Sequence, residues 1–226
     1  MMLPDYWLQR PKLAIDPQTL SDFDELLARV KSAATNTWID YTLAVPKWQF
    51  LCHVADQHGV VLHGTGDPRI DVFEPRLSND LNAFGAQTAV YAARDGLLPM
   101  FFAILDRQHF PITTSNACIR LVDAAGQISE PRYVFSISQP ALLQQPWRNG
   151  TIYLLPGDTF VNQSSFRFGP YEVRVPQLAS LAPVVPLARL EVAPQDFPFL
   201  QDIRGIDDAR LAEYAQAMQT GAPWPE

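Results

Sequence analysis

The chain has 226 residues, of which 47% are hydrophobic, and its formal net charge is −7. That length and apolar content allow a core that needs no disulfide or metal. The acidic charge argues against non-specific binding to nucleic-acid phosphates, which requires a basic surface. Two cysteines far apart in sequence predict reduced thiols. Neither a signal peptide nor an apolar stretch of the roughly 18 residues that a membrane span requires is recognisable. We therefore expect a cytoplasmic protein with no membrane partner.

The N-terminal part of the chain predicts an extended arm followed by two helices. Three prolines within residues 1–19 indicate the arm. A helix capped by the preceding serine is expected from Asp22 to Ala34, with apolar residues at helical spacing. Pro46 suits the first turn of a second helix, and Gly59 suits its left-handed C-terminal cap.

Short strands dominate the rest of the chain. Asp95 can cap an inserted helix, in which Pro99 is tolerated because it falls in the first turn. The elements expected after Gly59 are strands at 60–63 and 88–92, a helix at 97–105, strands at 117–122, 133–138, 151–155, 171–175 and 187–192, and a helix from 207 or 208 to about 218. Regular strand–helix alternation is missing from the second half, so the sequence predicts an α+β fold with antiparallel sheets rather than a parallel doubly wound sheet.

Two of the predicted strands carry residues that suggest a binding site. His63 ends a buried strand and is followed by Gly64 and Thr65, where a glycine lets backbone groups approach a ligand closely. Tyr91 lies on the next strand, between small residues that leave room for a flat ring. Either residue alone is more often structural than functional, so the interpretation depends on their combination.

The combination resembles the His-Tyr-Glu class of ADP-ribosyltransferases, which includes the poly-ADP-ribose polymerases and the diphtheria-toxin type. That family has a strand ending in His-Gly-Thr or His-Gly-Ser, then a Phe-Gly turn and a strand of the pattern Val/Ile-Tyr-Phe-Ala. A helix with a second aromatic residue follows, and a glutamate opens a late strand. The matching segments here are His-Gly-Thr at 63–65, Phe-Gly at 84–85, Val-Tyr-Ala-Ala at 90–93 and Phe102.

For the family's glutamate the sequence favours Glu172, because it begins a predicted strand after a Gly-Pro turn and a further strand follows. Glu130, in a hairpin region, and Glu191, near the end of the last strand, remain alternatives. Glu74 comes too early in the chain order of the family.

The resemblance implies one domain with a split antiparallel β-sheet core. The core would span 59–195, preceded by the arm and helices at 1–58 and followed by a helical tail at 196–226. It also implies NAD as the substrate, with cleavage of the nicotinamide–ribose bond and transfer of ADP-ribose to an acceptor. The acidic charge favours a protein or a small molecule over a nucleic acid as that acceptor.

The resemblance also implies roles for individual residues. His63 would bond the ribose on the adenine side, and the Gly64 backbone, next to Thr65, would hold the nicotinamide amide. Tyr91 and Phe102 would stack on the nicotinamide ring, and Glu172 would stabilise the positive charge that develops at the reacting ribose, as carboxylates do in glycoside hydrolysis. Three arginines near the motifs could meet the pyrophosphate: Arg69, Arg76 and Arg94.

Other functions stay open at this point. The same fold could bind NAD, ADP-ribose or a protein without turnover, or the chain could be an unrelated β-rich interaction domain. Transfer of ADP-ribose, hydrolysis of NAD and removal of a 2′-phosphate from RNA are not separated by the sequence. The even spacing of His53, His58 and His63 does not place them on one helical face, so the sequence predicts no metal site.

Overall fold

A computed structural model describes residues 3–13, 15–77 and 84–225 of the chain. The described residues form five α-helices: α1 Pro17–Ser32, α2 Lys47–Gln57, α3 Leu97–Ala103, α4 Gln139–Leu142 and α5 Leu211–Thr220. They also form fifteen strands: β1 Leu8–Gln9, β2 Thr37–Trp38, β3 Val61–Thr65, β4 Arg76–Leu77, β5 Thr88–Ala93, β6 Ala117–Val122, β7 Arg132–Val134, β8 Ser136–Ser138, β9 Gly150–Leu155, β10 Val161–Asn162, β11 Phe166–Phe168, β12 Tyr171–Arg174, β13 Gln177–Ser180, β14 Ala188–Val192 and β15 Arg204–Ile206.

The strands form two main sheets, which confirms the expected α+β fold with largely antiparallel pairing. The larger sheet has the order β10-β13-β5-β3-β9-β14-β2, with β4 added alongside β5. The smaller one has the order β1-β7-β6-β12-β11, and β15 pairs with β8 separately. Pairing is parallel for β14 with β2 and for β15 with β8, and antiparallel elsewhere in the two main sheets.

The centre of the larger sheet brings together strands that are distant in sequence. Without β2 and β4, its strands counted along the chain follow the order fourth, fifth, second, first, third, sixth. Strand β5 therefore lies between β3, which precedes it, and β13, which comes more than eighty residues later. Residues from these three strands can meet only because of this long-range pairing.

The N-terminal helices pack in layers on the larger sheet. Helix α3 lies against β3 and β9, α2 contacts α3, and α1 contacts α2. Helix α1 buries one stripe at helical spacing, made of Phe23, Leu26, Leu27 and Val30. Nearly all of α2 is buried, because it lies between α1 and α3. This stacking fixes α3 beside the end of β3, where the predicted site residues are.

Local signals predicted four of the five helices of the described residues, but they missed several short strands and misplaced two elements. Helix α1 begins at Pro17 rather than Asp22, because the Asp16 side chain accepts a hydrogen bond of 2.9 Å from the Thr19 backbone N–H and proline fits the first helical position. The strand expected at 133–138 is divided into β7 and β8, which belong to different sheets. The predicted cap at Asp95 is confirmed, since its carboxylate accepts from the first backbone N–H groups of α3.

Candidate functional site

A cavity of about 1590 Å³ lies where the two sheets approach each other. Its walls come from β3, β5 and β13 of the larger sheet, from β6, β11 and β12 of the smaller one, and from α3 and α5. Six of the lining residues bear on what the cavity can bind: His63, Gly64, Thr65, Tyr91, Phe102 and Gln177. Five of these six were predicted from the sequence, and the structure brings those five together at one cavity.

The larger sheet opens between β3 and β5 at this place. Strand β3 pairs with β9 along its whole length, but with β5 only through Leu62 and Ala93. Beyond that pair the two strands separate, and the side chain of His63 crosses the opening. Its Nδ1 lies 2.7 Å from the backbone carbonyl oxygen of Tyr91, so Nδ1–H donates to that oxygen.

This hydrogen bond determines the chemical form of His63. With the proton on Nδ1, the other ring nitrogen, Nε2, carries a lone pair and can accept a hydrogen bond. Burial lowers the pKa of His63 below its ordinary value, because desolvation disfavours the imidazolium. The ring also packs against Phe73, with centroids 4.7 Å apart. The cavity therefore contains a fixed, neutral imidazole at neutral pH.

Hydrogen bonds of its hydroxyl group hold the Tyr91 side chain in place. That hydroxyl lies 3.0 Å from the carbonyl oxygen of Phe84 and 2.9 Å from that of Gln87, so it ties the segment before β5 to the strand. The ring of Phe84 meets the tyrosine edge-on at 6.4 Å. These contacts fix the orientation of the tyrosine ring at the cavity wall.

Gly64 has a role in packing that the sequence did not reveal. A Cβ at this position would lie 1.8 Å from the carbonyl oxygen of Pro99, so only glycine lets α3 lie this close to β3. The next residue, Thr65, accepts a hydrogen bond of 3.2 Å from the Asp67 backbone N–H. Phe102, half-buried on α3, lines the same cavity under the guanidinium of Arg107, which is 5.5 Å from the ring centroid.

The structure places Glu172 outside this cavity, in contrast to the role expected for it. Side chains alternate along a strand, and it is Val173 of β12 that is buried and lines the cavity. Glu172 accepts a hydrogen bond of 2.9 Å from Arg174 Nε, and this bond lowers the pKa of the carboxyl group. The alternatives Glu130 and Glu191 also lie outside, as does Glu74, which the chain order had already set aside.

Arg76 is likewise absent from the cavity wall. It lies on β4 with an exposed side chain. Arg94, also exposed, is absent from the wall too, whereas Arg69 lines the cavity and bonds the Asp67 carboxylate at its edge. The sequence placed these arginines near the motifs only by their distance along the chain, which does not determine where a side chain points.

Gln177 is one of the lining residues that the sequence did not predict. It is the first residue of β13, where it pairs with Ala93 of β5, the strand that also carries Tyr91. Its position after Pro176 and before Leu178 was a weak signal, because a strand of four residues has little periodicity to detect. The Gln177 amide can donate and accept hydrogen bonds but supplies no negative charge.

The charge of the cavity is opposite in sign to that of the chain. Among the described residues its wall contains three arginines, Arg69, Arg107 and Arg148, and one carboxylate, Asp67. Arg148 is oriented by its bonds to two backbone carbonyl oxygens, at Gly66 (2.7 Å) and Asn149 (3.1 Å). An excess of positive charge inside a chain of net charge −7 favours an anionic ligand.

Comparison of the chain with protein-family models, with curated proteins and with solved structures found no match. In the described part of the chain, none of the helices has the length and apolar character needed to cross a membrane.

Proposed function

We propose that the chain is an ADP-ribosyltransferase-like domain that binds NAD, or a related nucleotide containing ADP-ribose, in this cavity. The observation that carries the proposal is the meeting of His63 and Tyr91, which come from two strands of the larger sheet, are joined by a hydrogen bond and line the same cavity. The resemblance stated from the sequence requires these two residues to share a site.

Three further features support the proposal. The sheet opens between β3 and β5 beside His63, which agrees with a split antiparallel sheet. Phe102 lies at the same cavity, as the second aromatic residue should. The arginines of the wall give the cavity a positive charge that suits a pyrophosphate, since guanidinium groups bind phosphate oxygens through paired N–H donors.

Each residue then has a role that follows from its chemical form. His63 Nε2 accepts a hydrogen bond from a ribose hydroxyl, because its proton is on Nδ1. Tyr91 and Phe102 provide flat surfaces for the nicotinamide ring. Arg148 and Arg107 bind the pyrophosphate, and the Gln177 amide bonds the ribose that carries the nicotinamide.

Binding without rapid cleavage is the better supported of the two functions that the resemblance implies. Cleavage builds positive charge at the ribose carbon, and a carboxylate next to that carbon lowers the barrier. Glu172 lies outside the cavity, and the residue that β13 contributes to the cavity wall, Gln177, has an amide instead of a carboxylate. Cleavage with transfer to a protein or small-molecule acceptor is the second candidate, and in the described cavity wall it would depend on Asp67.

Isothermal titration calorimetry of the full chain with NAD and with ADP-ribose tests binding. We expect one site per chain, and Arg148→Gln should weaken it by about tenfold to a hundredfold, since a charge-assisted hydrogen bond contributes about 1.5–3 kcal/mol. Arg174→Gln is the matched control, because Arg174 pairs with Glu172 outside the cavity. If neither nucleotide binds, or if both variants bind like the wild type, the proposal fails.

Release of nicotinamide from NAD separates binding from cleavage. Gln177→Glu introduces a carboxylate at the cavity, and a fixed charge of this kind contributes about 3–4 kcal/mol, or several hundred-fold in rate. We expect slow or no release by the wild type, faster release by Gln177→Glu, and no change in Glu172→Gln. Rapid release by the wild type that Glu172→Gln abolishes would show that Glu172, and not Gln177, acts in the site.

A further inference from the structure

A second cluster of polar side chains lies between α1 and α2, at a separate pocket of about 490 Å³. Asp24 comes from α1, His53 from α2, and His58 is the residue that caps the C-terminus of α2. Asp24 Oδ1 lies 2.6 Å from His53 Nε2 and 2.8 Å from His58 Nε2. The two Nε2 atoms are 3.3 Å apart.

The separation of the two imidazole nitrogens matches the spacing of ligands around a metal ion. The two distances to the Asp24 oxygen are those of hydrogen bonds, so this carboxylate must move outward slightly to share an ion with the histidines. Two ligands of a tetrahedral zinc ion, each about 2.0–2.1 Å from the metal, are separated by about 3.3 Å. The two imidazole nitrogens have this separation, and a carboxylate oxygen completes a three-membered set. Among the described residues this is the one group of at least three histidine, cysteine or acidic side chains whose ligand atoms lie close enough to hold an ion.

Asp56, which also lines this pocket, is committed elsewhere. Its carboxylate bonds Arg10 Nη1 at 2.6 Å and Arg120 Nη2 at 2.9 Å, so two guanidinium groups neutralise it. The apolar side of the pocket is formed by Leu13, Ile15 and Leu20. This arrangement leaves three protein ligands and an open position, which is the pattern of zinc sites that keep a water molecule or bind an external ligand.

We propose that Asp24, His53 and His58 bind a divalent transition-metal ion, with zinc preferred, at a site independent of the nucleotide cavity. Imidazole nitrogen with a carboxylate oxygen is a donor set that suits zinc and its neighbours in the first transition row rather than magnesium or calcium. The ion joins α1 to the end of α2. Since α1 contacts α2 and α2 contacts α3, binding fastens the outer helix to the rest of the fold.

Zinc affinity of the untagged full chain, measured by competition with a coloured chelator after removal of bound metal, tests the proposal. We expect one zinc ion per chain. Loss of a residue that only supports a ligand typically costs 10–100-fold in affinity, so loss of a ligand in Asp24→Asn or His58→Gln should cost at least about 100-fold. Both side chains are at least partly accessible, and circular dichroism of each variant verifies its fold.

His109→Gln is the matched control, because His109 also pairs with a carboxylate, Asp106, at 2.8 Å on the surface. Within the described residues no third ligand joins this pair. Its zinc affinity should equal that of the wild type. Replacing zinc with Co²⁺ should give a visible absorption band with the intensity of a four-coordinate site, and this band should be missing in Asp24→Asn.

The proposal is overturned if the folded Asp24→Asn and His58→Gln variants bind zinc as tightly as the wild type, or if the wild type binds none. In that case the three side chains form only a hydrogen-bonded group. Nucleotide binding by calorimetry does not enter this test, so the two sites can succeed or fail separately.

Discussion

Gly64→Ala tests the close approach of α3 to β3, on which the position of Phe102 depends. The added Cβ would lie 1.8 Å from the carbonyl oxygen of Pro99, where an ordinary contact begins at 3.4 Å. Both groups are attached to backbone, so the helix must move back by about 1.6 Å at this point. That movement loosens the fully buried Leu97 and Phe101 against their neighbours.

The cost can be estimated from overpacking in protein cores. Extra atoms in a well-packed interior cost about 1–3 kcal/mol, and a clash between two backbone elements belongs at the upper end or above it. We therefore expect a loss of about 3 kcal/mol in the free energy of unfolding. For a chain of this size about 2–4 °C is lost per kcal/mol, so the melting temperature should fall by roughly 6–12 °C.

Gly66→Ala is the matched control for this measurement. Its added Cβ would meet the guanidinium of Arg148 at 2.8 Å, and that flexible side chain can rotate away. Both substitutions reduce the entropy of the unfolded chain by a similar amount, so that effect cancels in the comparison. Thermal and urea unfolding followed by circular dichroism should show a small change for Gly66→Ala. Equal stability of the two variants would refute the packing argument.

Two further predictions concern single side chains near the site. Asp95→Ala removes the acceptor for the backbone N–H groups of Leu97 and Leu98 and for the Tyr133 hydroxyl at 2.6 Å. The free energy of unfolding, measured with urea, should therefore fall by about 3–5 kcal/mol. An unchanged midpoint would mean that these bonds contribute nothing. Burial lowers the pKa of His63, so as the pH falls the unfolded chain takes up a proton at this residue before the folded chain does. The stability contributed by the neutral His63 is therefore complete above pH 6.5 and declines as the pH falls below that value. As the pH is lowered, the free energy of unfolding should fall more steeply for the wild type than for His63→Asn. Parallel curves for the two proteins would contradict a lowered pKa.

The two proposed sites lie in different parts of the fold. The cavity proposed to bind a nucleotide is formed between the sheets and α3, whereas the proposed metal site joins α1 to α2. Helix α2 contacts α3, and α3 carries Phe102. The two proposed sites therefore lie on neighbouring layers of the same stack of helices.

Local chemistry in the sequence was enough to determine several parts of the protein. The stripe of apolar residues in α1, the cap at Asp95 and the turn glycine Gly59, whose φ is +66°, follow from interactions within a few residues, so their patterns are readable along the chain. His63 and Tyr91 were selected because their combination resembles a family pattern that can be read along the chain, and the structure places both at one cavity.

The tertiary structure alone decided which side chains reach each site. Strand β12 aims Val173 into the cavity and leaves Glu172 outside it, because a shift of one residue in a strand reverses the face of every side chain. Gln177 reaches the cavity because β13 pairs with β5, the strand that carries Tyr91. His58 meets His53 because α2 ends just before His58. Such contacts join residues that no local pattern connects, so only the packing of the whole chain determines them.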